Sequence, residues 1–441
     1  RRQRQMCIRD RGYAASRLIE DGHDAKFVDC IAEGIDDATL KRITGEFAPD
    51  VVFMETSVPS FDADVATMRA LDAPCIAGGA HATATPHEHL EAGFAAVIRG
   101  EYDQVIGQAV ALGAQPWLAT ADEPDAVHAP LVEDLEAIPY PAWEQMAMER
   151  YNDPICVGRS VTVLSSRGCP MRCGFCTLAP YHGQRDYRLR DPEAVCDEID
   201  ALIARYRPDE IYFDDDSITL CRNHMLALCA AIKARGWGLP FCCMGNATVD
   251  RDVLEAMADA GCRAFKFGVE SADPAVLKRI PKLLNLDDVV RTARDCRELG
   301  IQTHATFMFG LPGETRESAE RTIDFALGMG AHTLQFAIVT PYPGTALYEE
   351  AVREGWLTKR DWCDFDPAGG AVLSYPTYGA EDIEAMHDLA WQRWQRHMLT
   401  RQPGTLYHHF RNAFRREGIG GVARLARYGA SRMVGVLRSR G

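Results

Sequence analysis

Three cysteines stand close together in the run Arg167-Gly168-Cys169-Pro170-Met171-Arg172-Cys173-Gly174-Phe175-Cys176. The spacing is C-x3-C-x2-C. Thiolates are soft donors, and three within eight residues can converge on one soft metal centre. A [4Fe–4S] cluster held by Cys169, Cys173 and Cys176 would keep one of its irons open to a small ligand. Gly168 and Gly174 permit tight turns and leave backbone amides for cluster sulfurs. Two other readings use the same residues: a zinc site with His182 as fourth ligand, and free thiols in a core. Cys242 and Cys243, on a later apolar stretch, read as core filler.

Such a loop needs a scaffold. The chain has 441 residues and is 47% hydrophobic, 25% charged and 9% aromatic, ordinary globular proportions with length for two or three domains. A formal net charge of −15 argues against a general affinity for nucleic acid. No apolar run nears the roughly 20 residues of a membrane span, and no apolar stretch follows the basic start as it does in a secretory signal. The expected setting is a reducing cytoplasm. There 15 cysteines are free thiols or metal ligands, not a disulfide framework.

Residues 1–11 begin Arg1-Arg2-Gln3-Arg4-Gln5 without an initiator Met, and Met6 to Arg11 resembles a translated sequencing adapter. They read as non-native, the alternative being a basic arm. Over 12–117 strands alternate with helices: a helix at 13–23, strands at Ala25–Cys30, Val51–Met54, Cys75–Ala77 and Ala95–Ile98, and helices between them. That is a doubly wound parallel sheet whose first strand is missing. Residues 118–155 read as an acidic, Pro-bearing linker. Six strand–helix repeats follow within 156–357, with strands at Val161–Ser165, Glu210–Phe213, Pro240–Met244, Ala264–Val269, Gln302–Phe309 and Thr333–Val339. They predict a partial barrel that binds ligands at its C-terminal strand ends. Residues 358–441 read as helical, ending in an arginine-rich tail from Phe410 to Arg440. The fold class is therefore α/β: a Rossmann-like domain, a partial (β/α)6 barrel and a helical C-terminal region.

The triplet, with Phe175 before its third cysteine, resembles the radical S-adenosylmethionine (SAM) enzymes from about Val161 to Leu357. Further matches stand at strand ends: Phe213-Asp214-Asp215-Asp216, Phe267-Gly268-Val269-Glu270-Ser271, Phe309-Gly310-Leu311-Pro312-Gly313-Glu314 and Thr340-Pro341-Tyr342-Pro343-Gly344-Thr345. The resemblance implies a [4Fe–4S] cluster whose open iron is chelated by SAM. It assigns Asp214, Asp215 and Asp216 to the SAM ammonium, Glu270 with Ser271 to the ribose or amino group, and Thr340 and Tyr342 to the adenine. Gly310 and Gly313 would let backbone approach the ligand. Three departures leave the carboxylate and the fourth loop open: Asn246 where Arg is common, Ala272 for Gly, and Pro281-Lys282-Leu283-Leu284 for a Lys-Gly turn.

The first sheet resembles the cobalamin (B12)-binding domain that often precedes such a core. Thr56, Ser57, Gly78, Gly79 and His81 are its cobalamin contacts, with Arg99-Gly100-Glu101 after the next strand. Asp21-Gly22-His23 is not an axial-ligand motif, because Lys26 stands at its glycine position. The resemblance implies cobalamin-dependent methylation, ring contraction or ring closure, driven by a 5′-deoxyadenosyl radical and fed by a donor such as flavodoxin or ferredoxin. The core is similar to the group containing hopanoid-tailoring enzymes and the anaerobic Mg-protoporphyrin monomethyl ester cyclase. That points to a small-molecule or lipid-like substrate, with the basic tail on an anionic membrane or folded as a helical cover. The alternatives are a B12 domain reduced to substrate docking and a non-enzymatic zinc or cluster scaffold. A methylthiotransferase is disfavoured, since the first domain carries no second triplet.

Overall fold

The computed structural model describes residues 3–151, 155–156, 158–367, 369–402, 418–421 and 423. Most of the arginine-rich tail, and with it the expected membrane contact, lies outside the described residues. No helix among the described residues is long and apolar enough to cross a membrane.

The first sheet has four strands in the order β1 (Val52–Glu55), β2 (Cys75–Gly78), β3 (Ala96–Ile98) and β4 (Leu118–Ala119). The first three are parallel, and β4 runs antiparallel to β3. Two expectations change here. The start of the linker is an edge strand. The stretch Ala25–Cys30 forms no strand: its backbone bonds instead go to the Gln145 side chain, which accepts from Phe27 N at 2.6 Å and donates to Ala25 O at 2.9 Å. A strand is defined by its partner, and among the described residues β1 is flanked on one side only.

The second sheet is all parallel, in the order β12-β11-β10-β9-β8-β5. Its strands are β5 (Ser160–Val163), β8 (Glu210–Phe213), β9 (Phe241–Gly245), β10 (Cys262–Glu270), β11 (Gln302–Phe309) and β12 (Thr333–Ile338). Between β5 and β8 lies a short antiparallel hairpin of β6 (Ser166–Arg167) and β7 (Arg188–Leu189). All four residues of β8 are buried, as expected of a barrel strand covered on both faces. The helix Pro192–Tyr206 shows how local sequence fixes the repeats. Asp191 caps it by accepting from Glu193 N, Pro192 opens the first turn, and Arg207 closes it in the left-handed conformation. One continuous apolar core joins sheet and helices and runs on to Trp394. The stretch from Trp356 to Tyr378 is mostly irregular, with two isolated bridges, and the C-terminal helix spans Ala380–Arg401.

Candidate active site

The cysteine loop leaves the C-terminal end of β5 and is clamped by its backbone. Asp216 Oδ2 accepts from Gly168 N at 2.8 Å. Gly174 N donates to Ile280 O at 3.3 Å, and Gly174 O accepts from Leu347 N at 2.9 Å. Gly168 has φ +88°, and a Cβ there would sit 2.6 Å from Asp186 O, so only glycine fits. Asp215 is fully buried and accepts from Ser165 N at 3.1 Å, Ser165 Oγ at 2.8 Å and Ser166 Oγ at 2.5 Å. Within the run Asp214–Asp216, two carboxylates thus bond to the protein itself. Asp215 holds the strand end beneath the loop, and Asp216 holds its first amide. Asp214 is also buried.

The three thiols are unbridged and half-buried. Burial raises each of them, Cys176 to about 12, and the neighbouring Cys173, Asp216 and Cys169 push Cys176 further up. At Cys169 and Cys173 the Lys282 ammonium opposes burial. A soft metal would displace these protons. A single zinc fits poorly. Tetrahedral Zn–S bonds of about 2.3 Å set sulfurs about 3.8 Å apart, and among the described residues the three sulfurs do not all close to that spacing. His182 is also engaged: Nδ1 lies 2.7 Å from Asp186 Oδ1 and Nε2 3.6 Å from Glu101 Oε1.

Glu270 ends β10 at φ +70°, a left-handed conformation unusual for a residue with a side chain. Lys282 Nζ donates to its Oε1 at 2.7 Å, while its buried Oε2 has no partner among the described residues. A Cβ on Gly268 would collide with that carboxylate. Backbone strain and an unpaired buried oxygen persist in native structures mainly at functional sites. Lys282 thus joins Glu270 to the cysteines.

Other strand-end residues face elsewhere. Ser271 is fully buried; its Oγ lies 3.3 Å from Thr322 Oγ1 and accepts from Asp273 N at 3.1 Å. Gly310 does not present open backbone: its O accepts from Tyr375 Oη at 2.7 Å, and Ile383 would meet its Cβ at 3.1 Å. The C-terminal segment covers that turn. Gly313 is more open, with only Arg279 Cγ near a Cβ, at 3.9 Å. Asn246 N donates to Thr219 Oγ1 at 2.9 Å. Thr340 is buried, and Tyr342 O accepts from Thr345 N at 3.2 Å at the start of the helix Ala346–Arg353. Phe175 packs, half-buried, against the main core.

At the Rossmann edge, Thr56 Oγ1 lies 2.8 Å from His89 Nε2, and Ser57 Oγ 2.6 Å from Ser60 Oγ. His81 is ringed by Phe61, His89 and Trp362 at centroid distances of 5.0, 4.9 and 5.3 Å. Burial depresses its imidazole to about 3. Thr56 and His81 are buried, and Ser57 is half-buried. Gly79, at φ +95°, lies so close to Glu55 that a Cβ would come within 2.8 Å of its Cγ. The edge nonetheless meets the barrel. The helix Gly79–Ala84 packs against Leu178–His182, which follows the third cysteine. The buried Tyr102 hydroxyl, within electrostatic reach of Glu55 and Tyr181, has no partner among the described residues.

A family profile for the radical SAM superfamily matches residues 163–326. The chain is 30% identical over 372 residues to an uncharacterized methyltransferase of Pyrococcus horikoshii, covering 79% of each chain. It is also 30% identical over 420 residues to the cytidylyl-2-hydroxyethylphosphonate methyltransferase of Streptomyces wedmorensis, covering 78% of each. The chain belongs to the radical SAM superfamily. Among solved structures it is similar in fold to the cobalamin-dependent S-adenosylmethionine radical enzyme OxsB, with a TM-score of 0.72 at 15% identity, covering 96% of this chain and 69% of that one.

Sequence reasoning missed part of this radical SAM site. Lys282 entered only as a departure from pattern, yet it pairs with Glu270 twelve residues away. Glu314 was read only as the end of a glycine turn. It is buried, its Oε2 accepts from Gly310 N at 2.6 Å, and burial raises its carboxyl to about 8. The seam between the sheets was also missed. Arg188 gives two bonds of 2.7 Å to Glu101, and Arg167 one of 2.8 Å to Asp103. Arg167 and Arg188 are cross-strand partners in the β6–β7 hairpin, a signal that alternation could have supplied.

Proposed function

We propose that this radical SAM enzyme carries a [4Fe–4S] cluster on Cys169, Cys173 and Cys176 and SAM at the fourth iron, and that with cobalamin it methylates a small-molecule or lipid-like substrate. The observation that carries the reading is the clamped loop of three free thiols lying beside the Lys282–Glu270 pair. Bound there, the cluster would supply a low-potential electron for the reductive cleavage of SAM, and cobalamin would supply the methyl carrier. The chain's own residues bind and orient. Asp216 and Leu347 fix the loop. The unpaired Glu270 Oε2 offers an acceptor to the SAM ribose or ammonium. Lys282 holds that carboxylate in place, and its charge favours the thiolates at Cys169 and Cys173.

Support for cobalamin comes from the Rossmann edge packed against the cysteine loop, with its unpartnered Tyr102 hydroxyl, and from the fold shared with OxsB. The Rossmann sheet (12–117) and the barrel (156–357) act as two cofactor-bearing domains. The names of the relatives favour methyl transfer. A low-potential carrier such as flavodoxin or ferredoxin supplies the electron. Anaerobic reconstitution should give about four irons per chain and reductive cleavage of SAM. Unchanged cleavage in Cys173→Ala would refute the assignment. Cobalt content after incubation with cobalamin separates this reading from a Rossmann domain used only for docking.

A further inference from the structure

The opposite end of the barrel holds a second cluster of soft donors that the radical chemistry does not use. Cys156 enters β5, Glu210 opens β8, and Cys242 is the second residue of β9. All three are buried, and their ligand atoms lie within 4.8 Å of one another. Cys242 Sγ is 3.4 Å from Glu210 Oε2. A tetrahedral zinc with Zn–S near 2.3 Å and Zn–O near 2.0 Å sets sulfur and oxygen about 3.5 Å apart. Around the trio the barrel floor is packed by Tyr212, Ala264 and Ile155.

Arg263, from β10, lies beside the trio. Its Nη2 is 2.9 Å from Glu210 Oε2, 2.8 Å from Cys242 Sγ and 2.6 Å from Ile155 O. Glu210 Oε1 accepts from Gly158 N at 2.6 Å. A guanidinium donating to a cysteine sulfur and a carboxylate is the outer-shell arrangement that orients metal ligands. Charge decides whether a buried ion is tolerable. Counted as the Glu210–Arg263 ion pair and two thiols, the metal-free site has no net charge. With a divalent ion, two thiolates and Glu210 carry three negative charges against three positive ones from the ion and Arg263. Binding exchanges two thiol protons for the ion (Zn²⁺ + 2 RSH → Zn(SR)₂ + 2 H⁺), so the site stays neutral in both states. An ion pair alone needs neither cysteine.

We propose that Cys156, Glu210 and Cys242 form a structural site for a thiophilic divalent cation, zinc first, that staples the segment entering β5 to the barrel floor. The fourth ligand is water or the Ile155 carbonyl. The full-length chain, purified without chelators and reconstituted with iron, should hold one zinc beside its iron. After zinc removal, cobalt(II) should give sulfur-to-metal charge-transfer absorption, and zinc re-addition should release two protons per chain. Cys156→Ser and Cys242→Ser should each weaken zinc binding on the order of 100-fold, while Cys169→Ala/Cys173→Ala/Cys176→Ala should keep the zinc. If the serine variants fail to fold, the cobalt spectrum and proton count of the parent still decide. Substoichiometric zinc, zinc retained in Cys156→Ser/Cys242→Ser, or thiol titration showing the two cysteines joined as a disulfide would each overturn the proposal.

Discussion

The two strand-end surfaces of this molecule differ in what their side chains have left to offer. At the top of the barrel the donors are in surplus: three free thiols, and a Glu270 oxygen with no partner. At the Rossmann edge Thr56 and Ser57 are consumed by neighbouring side chains, and His81 is enclosed by rings. The first surface can recognise a ligand through side-chain chemistry. The second can do so through backbone, shape and the lone Tyr102 hydroxyl. Residue type alone does not separate the two cases. Spare bonding capacity does.

The contrast is tested most severely at the thiols. Cys173→Ala should leave a cluster short of a ligand, with iron content and SAM cleavage both lost while the fold persists, as read by circular dichroism. The seam comes next. Glu101 is buried beneath Arg188 and Arg167, and Glu101→Gln removes the carboxylate charge they share, leaving Arg188 to Asp186 and Arg167 to Asp103. Breaking such a buried pair costs about 3–5 kcal/mol, measurable by denaturant unfolding. Burial alone would raise the Glu101 carboxyl, but Arg188 and Arg167 override it and the net shift is downward. Its stabilisation is therefore present above the ordinary carboxylate range and is lost as pH falls through the depressed folded value. An unchanged acid limb in Glu101→Gln would show the seam to be incidental.

A third test concerns Lys282. Lys282→Ala removes the hydrogen bond that holds Glu270 Oε1, so SAM affinity should drop on the order of 10-fold, about 1.4 kcal/mol, in equilibrium dialysis with reconstituted enzyme. Lys282→Arg should restore part of it. Equal affinity in all three proteins would mean that Glu270 does not face the cofactor.

The barrel was legible because each of its strands is a short apolar run followed by a helix of the right length. Glu210–Phe213 and Gln302–Phe309 were read to the residue. The cysteine loop was legible because its spacing is local. What escaped depends on distant partners. Ala25–Cys30 has the composition of a strand, but pairing is a property of the neighbour, and here Gln145 takes its hydrogen bonds across more than a hundred residues. Asp215 and Asp216 look alike in sequence, and only the fold shows one bonded to Ser165 and Ser166 and the other to Gly168. Thr56 lies 33 residues from the histidine that occupies it. No pattern of types encodes that closure.

The smallest effect is expected at His81, and it bears most directly on the Rossmann edge. Both ring nitrogens are buried without a partner, and burial lowers the imidazole from its ordinary 6.5 to about 3, with His89 adding to the effect. The folded protein thus holds a neutral ring where the unfolded chain takes up a proton below about 6.5. Stability from this residue is complete above that pH and is lost as pH falls toward the folded value. Phenylalanine keeps the ring and discards the two unsatisfied nitrogens, a change that is near neutral or mildly stabilising, within about 1 kcal/mol. His81→Phe should accordingly melt at the parent's temperature or slightly above it at pH 8. It should gain on the parent between pH 6 and pH 4, His89 supplying the acid sensitivity that remains. Cobalamin affinity should stay within about twofold, since the rings of Phe61, His89 and Trp362 enclose the imidazole. A tenfold loss would place His81 among the working donors and erase the distinction between the two edges.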